Sequence, residues 1–447
     1  MKLGRLILTI ALCPLAAPRA AVGQTAISQT DAPERNQNAD QLSEPGRPKI
    51  TFEDYVNQVL RSNLALASQR STVDISKAAV TTAKVTPDWS VDVGLPVVDV
   101  SGQGQPTNFS TGLNIPIELG GKRGKRVHAA LADFSSAGFD YEDAVRQLRA
   151  TAANAFIASL SARDILRSSY KSLGEFDRLV QVNEERVRAG DIGEIELVQS
   201  RVDRDQFKAG VISAQADVYS ADLALARQFG QAEKLSSQMP VPAGSLAVPI
   251  RTFDVEQLVA NALKRRSDVL SRERGVKASE LRVSLAQANL VPDLAVSGTY
   301  SHTGTGTGGF AQPPDNTLGA SFSVTLPISR WQHQGELESA RASRTQAELQ
   351  LRSAQIQVES DVRDAYSRYQ ASVSRLNLYR GGVLKDADRV LEARLYAYQR
   401  GGATLLEVID AQKTSAAIYL AYSQALADHA NALVALEEAA AIWDVSF

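Results

Sequence analysis

Four stretches of the chain alternate between apolar and polar residues with a period of two. In 318–328, Leu318, Ala320, Phe322, Val324, Leu326 and Ile328 share one parity, while Gly319, Ser321, Ser323, Thr325 and Pro327 share the other. Phe109, Thr111, Leu113, Ile115 and Ile117 alternate with Ser110, Gly112, Asn114 and Pro116. Trp89, Val91, Val93 and Leu95 alternate with Asp88, Ser90, Asp92 and Gly94; Leu294, Val296 and Tyr300 alternate with Ala295, Ser297, Thr299 and Ser301. This period predicts strands at about 88–97, 108–118, 293–303 and 317–328, each with one apolar face. Runs of roughly nine to eleven residues are long enough to cross a bilayer as tilted strands. A soluble sheet with one wet face shows the same alternation.

The rest of the chain reads as helix. Proline costs about 3 kcal/mol inside a helix, and it is absent from 49–86, 117–239, 250–291 and 328–447. It collects instead at 87–116, 240–249 and 292–327, around the predicted strands and one linker. At 1.5 Å per residue, 128–187 would span about 90 Å and 335–398 nearly 100 Å as single helices. The second carries a stripe of Ala347, Leu351, Ala354, Val358, Val362 and Ala365 at steps of three and four, which predicts one close-packing face.

The two halves resemble each other. "VTPDWSVDVG" (85–94) matches "LVPDLAVSG" (290–298), and "LNIPIELGGKR" (113–123) matches "VTLPISRWQHQ" (324–334). "RAGDIGEIEL" (188–197) matches "RGGATLLEV" (400–408), and Pro327 lies 211 residues after Pro116. A repeat of this length is too long for a solenoid. It predicts two copies of a helix–strand–strand–helix unit, 50–248 and 249–447, each ending in a helical hairpin, at about 188–196 and 399–407. "YQRGGATLLEVIDAQ" (398–412) then breaks a proline-free segment at Gly401-Gly402, because glycine reverses the chain at positive φ without a Cβ clash.

Composition narrows the functions open to such a chain. The net charge of −2 argues against nucleic-acid binding through bulk charge. Met1 to Arg5, the apolar run "LILTIALCPLAA" and Ala21-Val22-Gly23 predict a signal peptide over 1–23, followed by a polar arm over 24–49. Cys13, the only cysteine, lies in that segment and excludes a disulfide within one chain; a lipid-modified Cys13 is the alternative reading. No later run reaches the ~20 apolar residues of a spanning helix, so passage through a membrane would use strands. His128, His302, His333 and His429 are scattered without ligand spacing. No phosphate-binding or nucleophile motif is present, and "GTGTGG" (304–309) sits between strands, so neither an enzyme nor a cofactor is expected. Four strands cannot close a barrel, and open edges are excluded in lipid.

With these features together, the chain resembles the TolC-like outer membrane efflux family over about 50–445. "IPIELGGKRGKR" (115–126) resembles the heavy-metal, CzcC-like branch of that family. The resemblance implies a mainly α fold with a membrane β-barrel portion, in which three copies of the duplicated unit build a twelve-stranded barrel continued by a long α-helical periplasmic tube. It implies tip turns and adaptor contacts at Arg188, Ala189, Gly190, Ile195 and Glu196, and at Arg400, Gly401, Gly402 and Thr404. Glu407 and Asp410 match the acidic rings of the inner tip constriction, where clustered carboxylates favour cations. Where the family has a basic gate residue this chain has Ala403, with Arg400 the nearest substitute. Read without the resemblance, Glu407 and Asp410 would simply complement a helix start.

Gly120, Gly121, Lys122, Arg123 and Trp331 mark the membrane-interface junctions. The basic residues there either build a strand-to-helix corner or touch lipid phosphates, and Trp331 suits an interfacial anchor. The implied function is a passive outer membrane duct for heavy-metal cations, with no resident metal. Its implied partners are two further copies, outer membrane lipid, a periplasmic adaptor (membrane fusion protein) and an inner-membrane RND transporter. A duct for drugs, solvents or secreted protein is the rival within transport. A secreted coiled-coil structural protein is the rival from another class.

Overall fold

A computed structural model describes residues 47–95, 108–230, 240–305, 313–327, 330–444 and 447. The expected signal segment, Cys13, most of the polar arm and positions 306–309 of "GTGTGG" lie outside the described residues. So do 96–97 and 328, at the ends of two predicted strands.

The chain runs β1 (Lys49–Thr51), α1 (Phe52–Ser62), α2 (Leu64–Ala83), β2 (Ser90–Gly94), β3 (Asn108–Ile117), α3 (Lys122–Ala189), α4 (Glu194–Arg227) and β4 (Val241–Ala243). The same plan then recurs as α5 (Val255–Arg265), α6 (Ser267–Ala288), β5 (Asp293–Thr303), β6 (Asp315–Thr325), α7 (Arg330–Leu378), α8 (Leu384–Gln399) and α9 (Leu405–Ala440). β1 and β4 form a short parallel pair, with Ile50 opposite Pro242. The duplication extends to backbone detail. The residue joining α1 to α2, Asn63, has φ −67° and ψ 125°; the residue joining α5 to α6, Arg266, has φ −65° and ψ 125°. Asn63 caps α2 through its side chain, accepting from the N–H groups of Ala65 and Leu66. Arg266 holds its joint differently, through Asp268, Asp361 and the Ala439 carbonyl.

The four long strands form one antiparallel sheet in the order β2-β3-β5-β6. Its register sorts the residues cleanly. Val91, Leu113, Gly298 and Ala320 lie abreast, as do Val93, Thr111, Tyr300 and Leu318. Ile115, Val296 and Phe322 make a third row on this face. The opposite face carries Ser90, Asn114, Ser297 and Ser321 abreast, then Asp92, Gly112, Thr299 and Gly319. The apolar face is not the one covered by protein: Leu318 is 85% exposed and Phe322 74%. A sheet with exposed aliphatic and aromatic residues on one face and small polar residues on the other matches a lipid-facing wall with a wet interior. No helix among the described residues is long and apolar enough to span a membrane.

One expectation fails. The helix predicted without a break over 335–398 is two helices, α7 and α8, separated by a π-helical turn at Tyr379–Val383. Gly381 and Gly382 lie in that turn, and Gly382 leaves helical geometry at φ 165° and ψ −30°. Two adjacent glycines remove the side-chain packing and raise the entropy cost that hold a helix regular. The first repeat has no adjacent glycines within its long helix, and α3 runs 68 residues unbroken, about 100 Å.

The main core joins the two repeats. Phe52, Tyr55, Phe156, Leu225, Leu246, Leu433 and Leu436 are buried together with Val358, Val362 and Ala365. The lower half of the α7 stripe is therefore the part that is buried; Ala347, Leu351 and Ala354 remain half-exposed. Tyr55 donates to the Leu225 carbonyl at 3.1 Å, and burial pushes its hydroxyl well above the usual tyrosine range.

Asn63 also donates from Nδ2 to the Gln228 carbonyl at the end of α4, at 3.1 Å. Asn63→Ala should therefore cost about 1–2 kcal/mol, read as an earlier thermal loss of helical circular dichroism in detergent.

Candidate functional site

The two hairpin tips are built alike. At the first, Gly190 adopts φ 79° and donates to the Val187 carbonyl at 3.0 Å, while the Asp191 N–H reaches the Arg186 carbonyl at 2.9 Å. At the second, Gly401 adopts φ 76° and donates to the Tyr398 carbonyl at 3.1 Å, while the Gly402 N–H reaches the Ala397 carbonyl at 2.8 Å. Both are Schellman caps with glycine at the left-handed position. Only Gly401 of the Gly401-Gly402 pair needs to be glycine; Gly402 fills the place that Asp191 fills in the first tip. Arg188, Ala189 and Gly190 are exposed. Ile195 on α4 and Leu406 on α9, 211 residues apart, are exposed large apolar residues at matching positions just beyond each turn.

The second helices start differently. Thr404 caps α9 by accepting from the Glu407 N–H, and Glu407 Oε2 accepts from the Thr404 N–H at 3.2 Å, a complete capping box. The same Oε2 lies 3.4 Å from Arg394 Nη1 on α8. Glu196 holds the matching place on α4, but its cap residue is Gly193, which has no side chain to complete a box. Asp410 is exposed, one turn beyond Glu407. Glu407 thus caps its helix and also presents charge. Arg400 lies over the Tyr396 ring at 4.2 Å, not on a carboxylate. Ala403 packs against a small apolar cluster of Leu179, Tyr398, Leu405, Val408 and Ile409.

That cluster joins the two tips, and the polar contacts around it were not anticipated from sequence. Tyr398 is buried and donates to Asn183 Oδ1 at 2.8 Å. The Arg186 guanidinium covers its ring at 4.6 Å. Burial pushes the Tyr398 hydroxyl above its ordinary range; Arg186 opposes that shift and the Glu196 carboxylate adds to it. Farther from the tip, buried Asp203 on α4 receives Lys413 of α9 at 2.6 Å and Gln199 at 2.9 Å. Tyr419 of α9 donates to Asp388 of α8 at 2.7 and 2.9 Å, and burial with that bond pushes its hydroxyl up to about 12. Apart from Gln199 with Asp203, which are four residues apart on α4, the sequence signals for these pairs are faint, because each joins residues on different helices.

The junction at the sheet uses its charges internally. Gly120 and Gly121 both take φ 69°, and a Cβ on Gly120 would meet Val291 at 3.0 Å. Lys122 is buried and its Nζ donates to Asp293 Oδ2 at 2.7 Å; Asp293 Oδ1 also accepts from the Leu119 N–H at 3.0 Å. Arg123 donates to the Lys84 carbonyl at 2.7 Å, and Arg126 makes a two-pronged bond to Glu118 at 2.7 and 3.2 Å. Lys122, Arg123 and Arg126 thus all direct donors to protein groups of the corner. Trp331, at the other junction, is 88% exposed.

Residues 55–231 and 258–441 match the family described as outer membrane efflux protein. The chain belongs to the outer membrane efflux protein family. Members of this family are channels and not enzymes. The cobalt-zinc-cadmium resistance protein CzcC of Cupriavidus metallidurans is 24% identical over 367 residues, covering 82% of this chain and 84% of that protein. The pyoverdine export outer membrane protein OpmQ of Pseudomonas aeruginosa is 24% identical over 318 residues, 69% of this chain and 64% of that protein. Among solved structures, CusC superposes with a TM-score of 0.76 over 88% of this chain and 92% of that chain, at 15% identity. The fold is that of the efflux channels, which removes the reading of a secreted coiled-coil structural protein.

The caps predict opposite outcomes for adjacent glycines. Gly401→Ala should cost about 1–2 kcal/mol, because alanine resists the left-handed region. Gly402→Ala should be near neutral, since its Cβ would meet only the Ala397 carbonyl at 3.6 Å. Limited proteolysis at the tip in isolated outer membranes distinguishes the two.

Proposed function

We propose that this chain, with two further copies, forms the outer membrane exit duct of a three-part efflux system for heavy-metal cations of the cobalt, zinc and cadmium class. The observation that carries the cargo is the similarity to the cobalt-zinc-cadmium resistance protein along 82% of the chain. Three copies of the sheet close a twelve-stranded barrel, with the apolar face to lipid and the Ser, Thr, Asn and Gly face to the lumen. The helices continue the conduit into the periplasm. Glu407 and Asp410 from three copies bring six carboxylates to the tip opening, which attract cations and repel anions. The duct itself is passive. A periplasmic adaptor meets the tips, at Ile195, Leu406 and the turn residues Arg188 to Gly190 and Arg400 to Gly402. An inner-membrane RND transporter supplies energy and selects cargo.

A second reading, a duct for small organic molecules, is favoured by the equal identity to the pyoverdine export protein. A deletion strain distinguishes the two. Sensitivity confined to zinc, cobalt, cadmium or nickel, restored by the intact gene, is expected. Sensitivity to dyes and antibiotics with normal metal tolerance would establish the second reading.

The role of the tip carboxylates has its own test. Glutamine at 407 keeps the capping box and removes the charge. Glu407→Gln with Asp410→Asn should lower cation-over-anion preference in planar bilayers while leaving thermal stability near that of the parent. An unchanged reversal potential would dismiss the ring.

A further inference from the structure

The sheet has two strands with only one neighbour each, β2 and β6. Inside the chain, the second strand of the first repeat, β3, already pairs with the first strand of the second repeat, β5. The helices that follow and precede those strands, α3 and α6, pack along each other as well: Asp133 receives Arg282 at 2.6 Å and Ser136 meets Ser271 at 3.0 Å. The chain therefore contains one complete seam between consecutive repeats. Its free edges are the two halves of the same seam, since β6 is a second strand and β2 a first strand.

The seam inside the chain centres on one carboxylate. Asp293 directly follows Pro292 and opens β5; it holds both the Lys122 ammonium and the Leu119 N–H. Asp88 directly follows Pro87 and is its counterpart ahead of β2. Asp88 is exposed and makes no hydrogen bond or ion pair among the described residues. Lys122 lies six residues after Pro116, and the residue six after Pro327 is His333. Gly124 and Gly335 follow each by two, which confirms the alignment. His333 is half-buried, with Nδ1 3.4 Å from Glu336 Oε2 in poor hydrogen-bond alignment.

With copies closing the duct through their free edges, β6 and α7 of one copy lie against β2 and α2 of the next; we propose that across this seam Asp88 receives His333 as Asp293 receives Lys122. This rests on the multi-copy duct described above. Transferring the β3–β5 register sets Leu326 opposite Val91 and Val324 opposite Val93, so exposed apolar residues meet on the lipid face. It sets Thr325 opposite Asp92, so polar residues meet on the other. On the helices, α7 exposes Leu349 and Ile356 and α2 exposes Ile75, apolar residues that a neighbouring copy would cover. A histidine in place of lysine keeps a donor at the corner on a shorter side chain.

Cysteine chemistry in isolated outer membranes tests the pair. Asp88→Cys and His333→Cys combined in one chain should be joined between copies by a short bis-maleimide, producing dimer and trimer bands; either single variant should not, which also controls for Cys13. Charge reversal supplies a second readout. His333→Asp faces two acids together and should lower the share of detergent-resistant trimer about tenfold at a fixed temperature, and adding Asp88→Lys should recover most of it. Particles of trimer mass with neither cross-link nor charge-swap rescue would overturn the Asp88–His333 pairing and leave the duct standing. Particles of monomer mass for the unaltered chain would overturn the duct itself.

Discussion

Hydrocarbon offers no hydrogen-bond partner, so a sheet that faces lipid must have every strand edge paired. The rest of this protein's architecture answers to that constraint. Its four-stranded sheet turns Leu318, Phe322 and Val324 outward and Ser90, Asn114, Ser297 and Ser321 to the other side. Two edges remain, on β2 and β6. A chain of this design is one segment of a wall. Family membership agrees, because efflux channels of this fold are assembled conduits, with no reaction centre to house.

Duplication supplies the segment economically, but the two copies have diverged in helix continuity and in capping. α3 is continuous over 68 residues, whereas its counterpart is interrupted at Tyr379–Val383. The first tip starts its second helix behind Gly193, and the second behind Thr404 in a full capping box. The joints between short helices keep the same backbone angles, yet one is held by an asparagine cap and the other by an arginine network. Backbone geometry has been retained while the side chains that hold it have been replaced.

At the tip, the two readings of Glu407 are compatible. One oxygen completes the capping box and approaches Arg394, and the residue remains exposed. A carboxylate whose position is set by its own helix start is better defined than a free one. Arg400, the expected basic substitute, is occupied by Tyr396. The basic groups that do reach the tip contacts are Arg186 and Arg394, each through a partner on another helix.

The sequence by itself determined the elements. Period-two alternation marked the four strands and their apolar faces, and proline placement marked the helices between them. Gly190 and Gly401 marked the reversals, because only glycine enters the left-handed region freely. These are local properties, settled within a few residues. The break at Gly381-Gly382 was also written locally, but two glycines there and two at the tip look alike until packing shows which one turns the chain. Tertiary structure alone decided the rest. Asn183 with Tyr398, Asp203 with Lys413, and Asp293 with Lys122 join positions between 171 and 215 residues apart. Such pairs depend on which helix faces become neighbours, and that is fixed by the packing of the whole chain, beyond the reach of any local pattern.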